Sequence, residues 1–493
     1  MKPLSSLLAL LAGALFAVPF AAREAPLAAW LALAPLLVLL GSTQRPFVTG
    51  WLHGVGFWLA SVYWIAGTLV TFGNVARPLA WLLVVGLAAY LALYTAVFAS
   101  VGRRLWQAGG WPCWLGLPAL WVVLEGARGW VFTGFPWNLA AYAWTGFPGA
   151  LPAAAWIGPW GVSFLVVFAN LGVARAVVAR RWEPLALGWL VPLAFLAMAG
   201  RWSTPPDELT ALGAGSPARI VQPNVATGID YDPVESWNGY VRLITESQAA
   251  CDAPGALVVW PESAAWPHRL GGGPPLDDDV RALADRGCPV LLNSTTEEAG
   301  RYFNSAFLVR SGAEPARYDK RHLVPFGEYV PLRGIFGFLD RLARNAGDYS
   351  AADEIRLLPW GAQKLGVAIC FEVTFPTAVA ELSQQGATAL VTITNDSWYG
   401  DTSAPWQHFR SAQWRAAENR RPLLRAAITG VSGSVGPDGT VHGTLGVGEQ
   451  GVLRTTVVGR TDLTPFARSP RLPLVAAAIL AAVAIVFAAR RKP

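Results

Sequence analysis

Eight stretches of this chain are apolar for long enough to cross a lipid bilayer: residues 4–22, 26–41, 47–70, 78–100, 111–126, 151–174, 184–200 and 472–489. A hydrocarbon layer about 30 Å thick takes about 20 helical residues to span, and inside it every backbone N–H and C=O must find its partner within the segment. Such stretches therefore dictate helices before any other property is considered. The composition agrees, with 53% hydrophobic and 14% charged residues, against roughly 25% charged in a soluble domain. Lys2 and the first apolar stretch resemble a secretory signal, but six further stretches follow before residue 200, so an uncleaved helix is expected. The stretch 26–41 is short, and 111–126 carries Glu125. That charge and Arg128 are costly in lipid and are expected to pair or to face a headgroup.

The basic residues orient the helices. With a cytoplasmic N-terminus, Lys2, Arg45, Arg103, Arg104, Arg175, Arg180, Arg181, Arg490, Arg491 and Lys492 lie inside, and Arg23, Arg77, Arg128 and Arg201 lie outside. This bias favours that orientation and places the long polar segment on the outer face. The expected domains are a membrane domain over 1–202 with seven helices, an extracytoplasmic domain over 203–470, and a returning helix with a basic tail over 471–493. The net charge of +6 comes from these helix-flanking residues and not from a continuous basic tract, which argues against nucleic-acid binding.

The extracytoplasmic segment is written in another pattern. Short apolar runs, ARIVQ (218–222), ALVVW (256–260), PVLLN (289–293), LGVAI (365–369) and ALVTI (389–393), alternate with amphipathic stretches at 233–250, 276–287, 375–385 and 405–420. Buried strands alternating with helices predict a layered α/β domain with a parallel or mixed sheet. In such folds chemistry gathers at strand ends, and three strand ends carry suggestive residues. VVWPESA delivers Glu262 from a core strand. RYDKRHLVPFGEYVP holds Lys320, one of only four lysines in a chain that otherwise uses arginine; a compact ammonium can approach an oxyanion more closely than a guanidinium can. LGVAICFEV places Cys370 at the end of its run. A buried cysteine is by itself an ordinary core residue, and a reactive one needs a base and a cation nearby.

Glu262, Lys320 and Cys370 occur in that order, 58 and 50 residues apart, and this ordered set resembles the catalytic triad of the nitrilase, or carbon–nitrogen hydrolase, superfamily. TGFPWN (133–138), VVWPES (258–263), YDKRHLVPFGEYVP (318–331), AICFE (368–372), TNDSWYG (394–400) and RAAENRRP (415–422) are similar to motifs of its membrane-anchored branch, the apolipoprotein N-acyltransferase family. The resemblance implies eight transmembrane helices around an αββα nitrilase-like domain, in a bacterial inner membrane with that domain on the periplasmic side. It also implies an activity: transfer of a fatty acyl chain from a phospholipid to the α-amino group of a diacylated lipoprotein's N-terminal cysteine, through a thioester and without a cofactor. By the same resemblance Glu262 is the general base, Lys320 the oxyanion stabiliser and Cys370 the nucleophile. Glu328, Phe371, Glu372 and Trp398 match positions that orient the triad or admit substrate. One departure stands at Tyr231, where many members carry a tryptophan.

The triad alone would also suit a membrane-tethered amidase or nitrilase acting on a small carbon–nitrogen substrate, but soluble nitrilases lack TGFPW. The five histidines show no metal-like spacing, so no metal is expected; His322, beside Lys320, reads as a loop-ordering residue. Segment 334–344 reads either as a packed loop helix or as a lid at the bilayer edge. Cys251 and Cys288 precede neighbouring strands and could be joined as a disulfide or remain as two thiols.

Overall fold

The structure of the protein, a computed structural model, describes residues 3–21, 28–202, 211–225, 232–330 and 348–490. Tyr231 and segment 334–344 lie outside the described residues. The chain divides into two compact units: Met1–Ala66, Arg77–Thr204 and Ser469–Pro493 form one, and Gly67–Ala76 with Pro205–Arg468 form the other.

The first unit is helical. Among the described residues five helices are long and apolar enough to cross a membrane: Leu4–Ala21, Arg77–Ala108, Ala150–Ala179, Glu183–Arg201 and Leu472–Arg490. A sixth crossing arises if Pro46–Val62 and Ile65–Thr71, bent by 51° at their junction, count as one. The stretches expected at 26–41 and 111–126 overlap the shorter α-helices Ala34–Ser42 and Leu117–Arg128. Small residues set how closely the helices pack, as lipid-embedded helices require. A Cβ on Gly54 would lie 2.7 Å from Ala92 Cα, and one on Gly56 would lie 2.1 Å from the Leu10 carbonyl oxygen. Both distances are too short for any side chain, so these glycines let Pro46–Val62 touch a neighbour on each side. Glu125 and Arg128 bind the backbone in and just after the TGFPWN segment. Arg128 Nη1 donates to the carbonyls of Phe135 (2.6 Å) and Trp137 (2.7 Å), and Glu125 Oε1 accepts from Ala140 N at 2.7 Å.

Among the described residues the second unit holds twelve strands: β1 (Ser216–Gln222), β2 (Leu257–Val259), β3 (Val290–Glu298), β4 (Arg301–Arg310), β5 (Ala313–Asp319), β6 (Leu358–Trp360), β7 (Gln363–Ile369), β8 (Ala389–Thr394), β9 (Leu423–Ala427), β10 (Ser432–Val435), β11 (Val441–Leu445) and β12 (Gly451–Val457). They form two six-stranded sheets, in the orders β12-β1-β2-β3-β4-β5 and β11-β10-β9-β8-β7-β6. The central pairs β1–β2, β2–β3, β7–β8 and β8–β9 are parallel, and the flanks are antiparallel. Alternation along the strands explains the layers. Ile220, Val259, Leu291, Val367, Ile369 and Val391 meet in a core shared by both sheets. Their neighbours Val221, Val258 and Val290 turn the other way, onto Tyr240, Leu243 and Val280 of the helices Pro233–Ala250 and Leu276–Asp285. Ala368, Leu390 and Leu423 likewise meet Val379, Phe409 and Ala416 of the helices Pro376–Gln384 and Ala404–Asn419. The result is a helix–sheet–sheet–helix sandwich. Cys251 and Cys288 are joined as a disulfide, with their Cα atoms 5.8 Å apart. It links the end of Pro233–Ala250 to the start of β3.

Candidate active site

β7 ends at Ile369 and the chain enters a short 3-10 turn, Cys370–Thr374, in which Cys370 adopts φ +52°. A non-glycine residue in the left-handed region is strained and persists only where its surroundings hold it. Glu372 supplies much of that hold. Its buried carboxylate accepts from Ile369 N at 2.7 Å, just before the cysteine, and from Arg321 N (2.7 Å), His322 N (3.1 Å) and Tyr318 OH (3.0 Å) across the sandwich. One side chain thus ties the cysteine turn to the loop that carries Lys320. Burial raises the Glu372 pKa above the ordinary carboxylate range, and these donors and Lys320 oppose that shift.

Lys320 follows β5 directly and is 1% exposed. Its Nζ lies 2.8 Å from Glu328 Oε1 and 3.7 Å from Glu262 Oε1. Burial disfavours its charge, but the carboxylates of Glu328 and then Glu262 outweigh that effect and hold its pKa above the ordinary lysine value. Lys320 is therefore a fixed cation. Glu328 is itself anchored, since Oε2 accepts from Val324 N at 2.8 Å.

Glu262, in the loop after β2, is oriented through both oxygens: Oε1 accepts from Asn304 Nδ2 at 2.8 Å and Oε2 from Asn395 N at 3.0 Å. Asn304 also donates to Glu328 Oε1 at 2.8 Å. Its amide orientation is set by Asn293, whose Nδ2 donates to Asn304 Oδ1 at 2.7 Å. These two asparagines escaped the sequence reading; the available signal was a polar residue inside the apolar run YFNSAFLV of β4. Burial and then Glu262 push the Cys370 thiol above its ordinary pKa, while Lys320 pulls it down. The arrangement holds a protonated thiol within electrostatic reach of the Glu262 carboxylate and the Lys320 ammonium.

The remaining expected residues surround this centre. Phe371 is buried edge-on to Phe375, with ring centroids 5.1 Å apart. His322 packs against Phe375, with ring centroids 3.7 Å apart and the planes tilted by 40°. Trp398 lies in the turn Asp396–Tyr399; its carbonyl accepts from Thr68 Oγ1 at 2.6 Å and its ring packs on Phe72 at 4.5 Å. Thr68 and Phe72 belong to Gly67–Ala76, the short segment that joins this unit. A cavity of about 190 Å³ lies against Glu372, lined also by Tyr318, Arg321, His322 and Asp353, but Glu262, Lys320 and Cys370 do not line it.

Comparison with known proteins bears on what this geometry does. Residues 12–172 match the apolipoprotein N-acyltransferase N-terminal domain, and residues 218–465 match the carbon–nitrogen hydrolase family. The apolipoprotein N-acyltransferase of Geobacter metallireducens is 35% identical to this chain, covering 92% of it and 89% of the relative. The enzymes of that name from Rhizobium rhizogenes (34% identical; 92% and 90% covered) and Brucella suis (32%; 90% and 86%) are similar over comparable lengths.

Proposed function

Because the chain belongs to the apolipoprotein N-acyltransferase family, we propose that Glu262, Lys320 and Cys370 carry its transfer of an acyl group to lipoproteins. The protein is a membrane-bound N-acyltransferase. The observation that carries the assignment of roles is the convergence of Glu262 and Glu328 on one buried lysine, with Glu262 and that lysine acting electrostatically on the Cys370 thiol. An amidase acting on a small substrate would leave the membrane unit, and its match over residues 12–172, without a purpose.

The donor in this reading is a phospholipid and the acceptor is the α-amino group of an N-terminal diacylglyceryl cysteine. Glu262 takes the Cys370 proton as Sγ attacks the ester carbonyl. The tetrahedral oxyanion is faced by the Lys320 ammonium and by the backbone N–H that follows Cys370. Collapse breaks the C–O bond, Glu262 returns the proton to the leaving lysophospholipid oxygen, and an acyl thioester remains. The acceptor amine then attacks that thioester, Glu262 accepts the amine proton, and cleavage of the C–S bond restores the thiol. Glu328 holds Lys320, Glu372 holds the cysteine turn, and Phe371 and Trp398 border the path of the substrates.

We place the enzyme in a bacterial inner membrane with eight crossings, Ala34–Ser42 and Leu117–Arg128 forming the cores of the two shorter ones, and with the α/β unit on the periplasmic side. The inward bias of arginines supports that orientation. So does the Cys251–Cys288 disulfide, since such bonds persist in oxidising compartments. The division is then a membrane domain over 1–202, a catalytic domain over 203–470 and a returning helix over 471–493.

The test is a two-stage labelling. Wild-type protein given acyl-labelled phospholipid alone should accumulate hydroxylamine-sensitive label on Cys370 and release it when a diacylglyceryl-cysteine peptide is added. Cys370→Ala should take up none. Label that appears only when both substrates are present would replace the thioester with a direct transfer.

A further inference from the structure

The helix Ala404–Asn419 passes beneath the nucleophile turn and touches it at both ends. His408 and Arg415 are seven residues apart and so lie on one face, two turns from each other. His408 Nε2 is 3.1 Å from the Cys370 carbonyl oxygen. Arg415 Nη1 donates to the carbonyls of Val373 (3.3 Å) and Thr374 (3.2 Å), and its Nη2 pairs with Glu418 Oε1 at 2.5 Å. The motif RAAENRRP, for which the mechanism has so far given no reason, thereby contributes one end of a cradle.

The histidine end carries the larger consequence. A carbonyl oxygen only accepts, so His408 Nε2 must bear the hydrogen. Its Nδ1 faces Arg425 Nη2 and Asp396 Oδ1, each at 3.0 Å, and Arg425 Nη2 in turn donates to Asp396 Oδ2 at 2.7 Å. Thr394 Oγ1 donates to Asp396 Oδ1 at 2.8 Å. All three of His408, Asp396 and Arg425 are essentially fully buried. Burial and then Arg425 keep the imidazole pKa below its ordinary value, against the opposing pull of Asp396. A neutral ring can accept from Arg425 at Nδ1 while donating to Cys370 at Nε2.

The carbonyl of Cys370 and the N–H of Phe371 belong to one peptide unit, and that unit is planar. A hydrogen bond that fixes the direction of the oxygen also fixes the direction of the N–H at its other end. We propose that His408, oriented by the buried Arg425–Asp396 pair, is a positioning residue that fixes the Cys370–Phe371 peptide plane and so aims the Phe371 N–H at the oxyanion of both half-reactions. This rests on the reading of Cys370 as the nucleophile.

The test separates acylation, which builds an oxyanion, from alkylation by iodoacetamide, which displaces iodide and builds none. With full-length protein in detergent, His408→Phe should slow single-turnover thioester formation about a hundredfold, as misaimed oxyanion donors do, and leave the rate of Cys370 alkylation unchanged. His408→Gln, whose amide N–H can still donate to the Cys370 carbonyl, should restore most of the lost acylation rate. If the Phe variant does not fold, His408→Asn, whose shorter amide cannot reach that carbonyl, carries the same two expectations. Wild-type acylation in the Phe or Asn variant overturns the proposal, as does a parallel fall in alkylation or a Gln variant as slow as Phe. Cys370→Ala distinguishes the two levels. Acyl transfer by that variant would overturn the nucleophile itself, whereas an inactive Ala variant beside a fully active Phe variant would overturn only the role of His408.

Discussion

Glu328 Oε1 lies 2.8 Å from Lys320 Nζ, closer than Glu262 Oε1 at 3.7 Å. Glu328 is thus the nearer counter-charge of the buried ammonium. In the proposed mechanism Glu262 exchanges a proton in each half-reaction, and a group with that task cannot also be the sole neutraliser of a buried cation.

Lys320→Arg should reduce thioester formation by about a hundredfold or more, because the planar guanidinium cannot occupy the ammonium's place between two carboxylates and displaces the reacting groups by about 1 Å. Folding should survive, since the charge is kept. Single-turnover labelling checks the rate, and turnover close to wild type would remove Lys320 from the mechanism.

Glu328→Gln keeps the shape and the acceptor for Val324 N but deletes the nearer counter-charge. Lys320 should then draw Glu262 into a direct ion pair and weaken it as a base. We expect acylation to fall by about ten- to a hundredfold, the range in which general-base contributions begin, measured by single-turnover thioester formation with Cys370 alkylation as the control for folding. A wild-type acylation rate would leave Glu328 a merely structural residue.

The pH dependence of Cys370 follows from its surroundings. Burial first and Glu262 second raise the thiol pKa, and Lys320 opposes them. The folded protein thus holds this proton more tightly than the unfolded chain, and the site's contribution to stability declines as pH rises from the ordinary cysteine value toward the raised one. Iodoacetamide alkylation should keep increasing with pH beyond the midpoint of a free cysteine, at about 8.5. Glu262→Gln should move that midpoint down while abolishing acyl transfer, and Lys320→Met should move it up. A wild-type midpoint at or below that of free cysteine would mean a preformed thiolate, with no need for Glu262 as base.

Removing the Cys251–Cys288 bond by replacing both residues with alanine should cost about 3 to 4 kcal/mol, the chain-entropy expectation for a loop of this size. Catalysis at low temperature should persist, because neither residue lies among the reacting groups. Thermal inactivation in detergent, with and without reductant, measures the effect; equal inactivation temperatures would show that the bond does not constrain the unfolded chain.

Much of this enzyme is written in local patterns. Apolar length announces the long membrane helices, and the runs at 218–222, 256–260, 289–293, 365–369 and 389–393 announce the central strands, because a residue buried on both faces of a sheet has few choices. Glu262 and Cys370 stand after such runs, where an α/β layer exposes side chains to a common edge, whereas Lys320 stands out as one of only four lysines. The flanking strands β4, β5, β6 and β10–β12 were less visible, as edge positions carry polar residues and weak alternation. Of the network around the triad, Glu328 and Glu372 were legible only through the family resemblance, and its asparagines and arginines were not visible. Asn304 sits 42 residues from Glu262, and Arg425 sits 29 from Asp396 and 55 from Cys370. A buried asparagine or arginine is recognisable only when its partner is known, and that partner is brought to it by sheet pairing and packing, not by spacing along the chain. Periodicity reports which face of an element is buried; which polar groups then meet in the dark interior is a property of the closed sandwich.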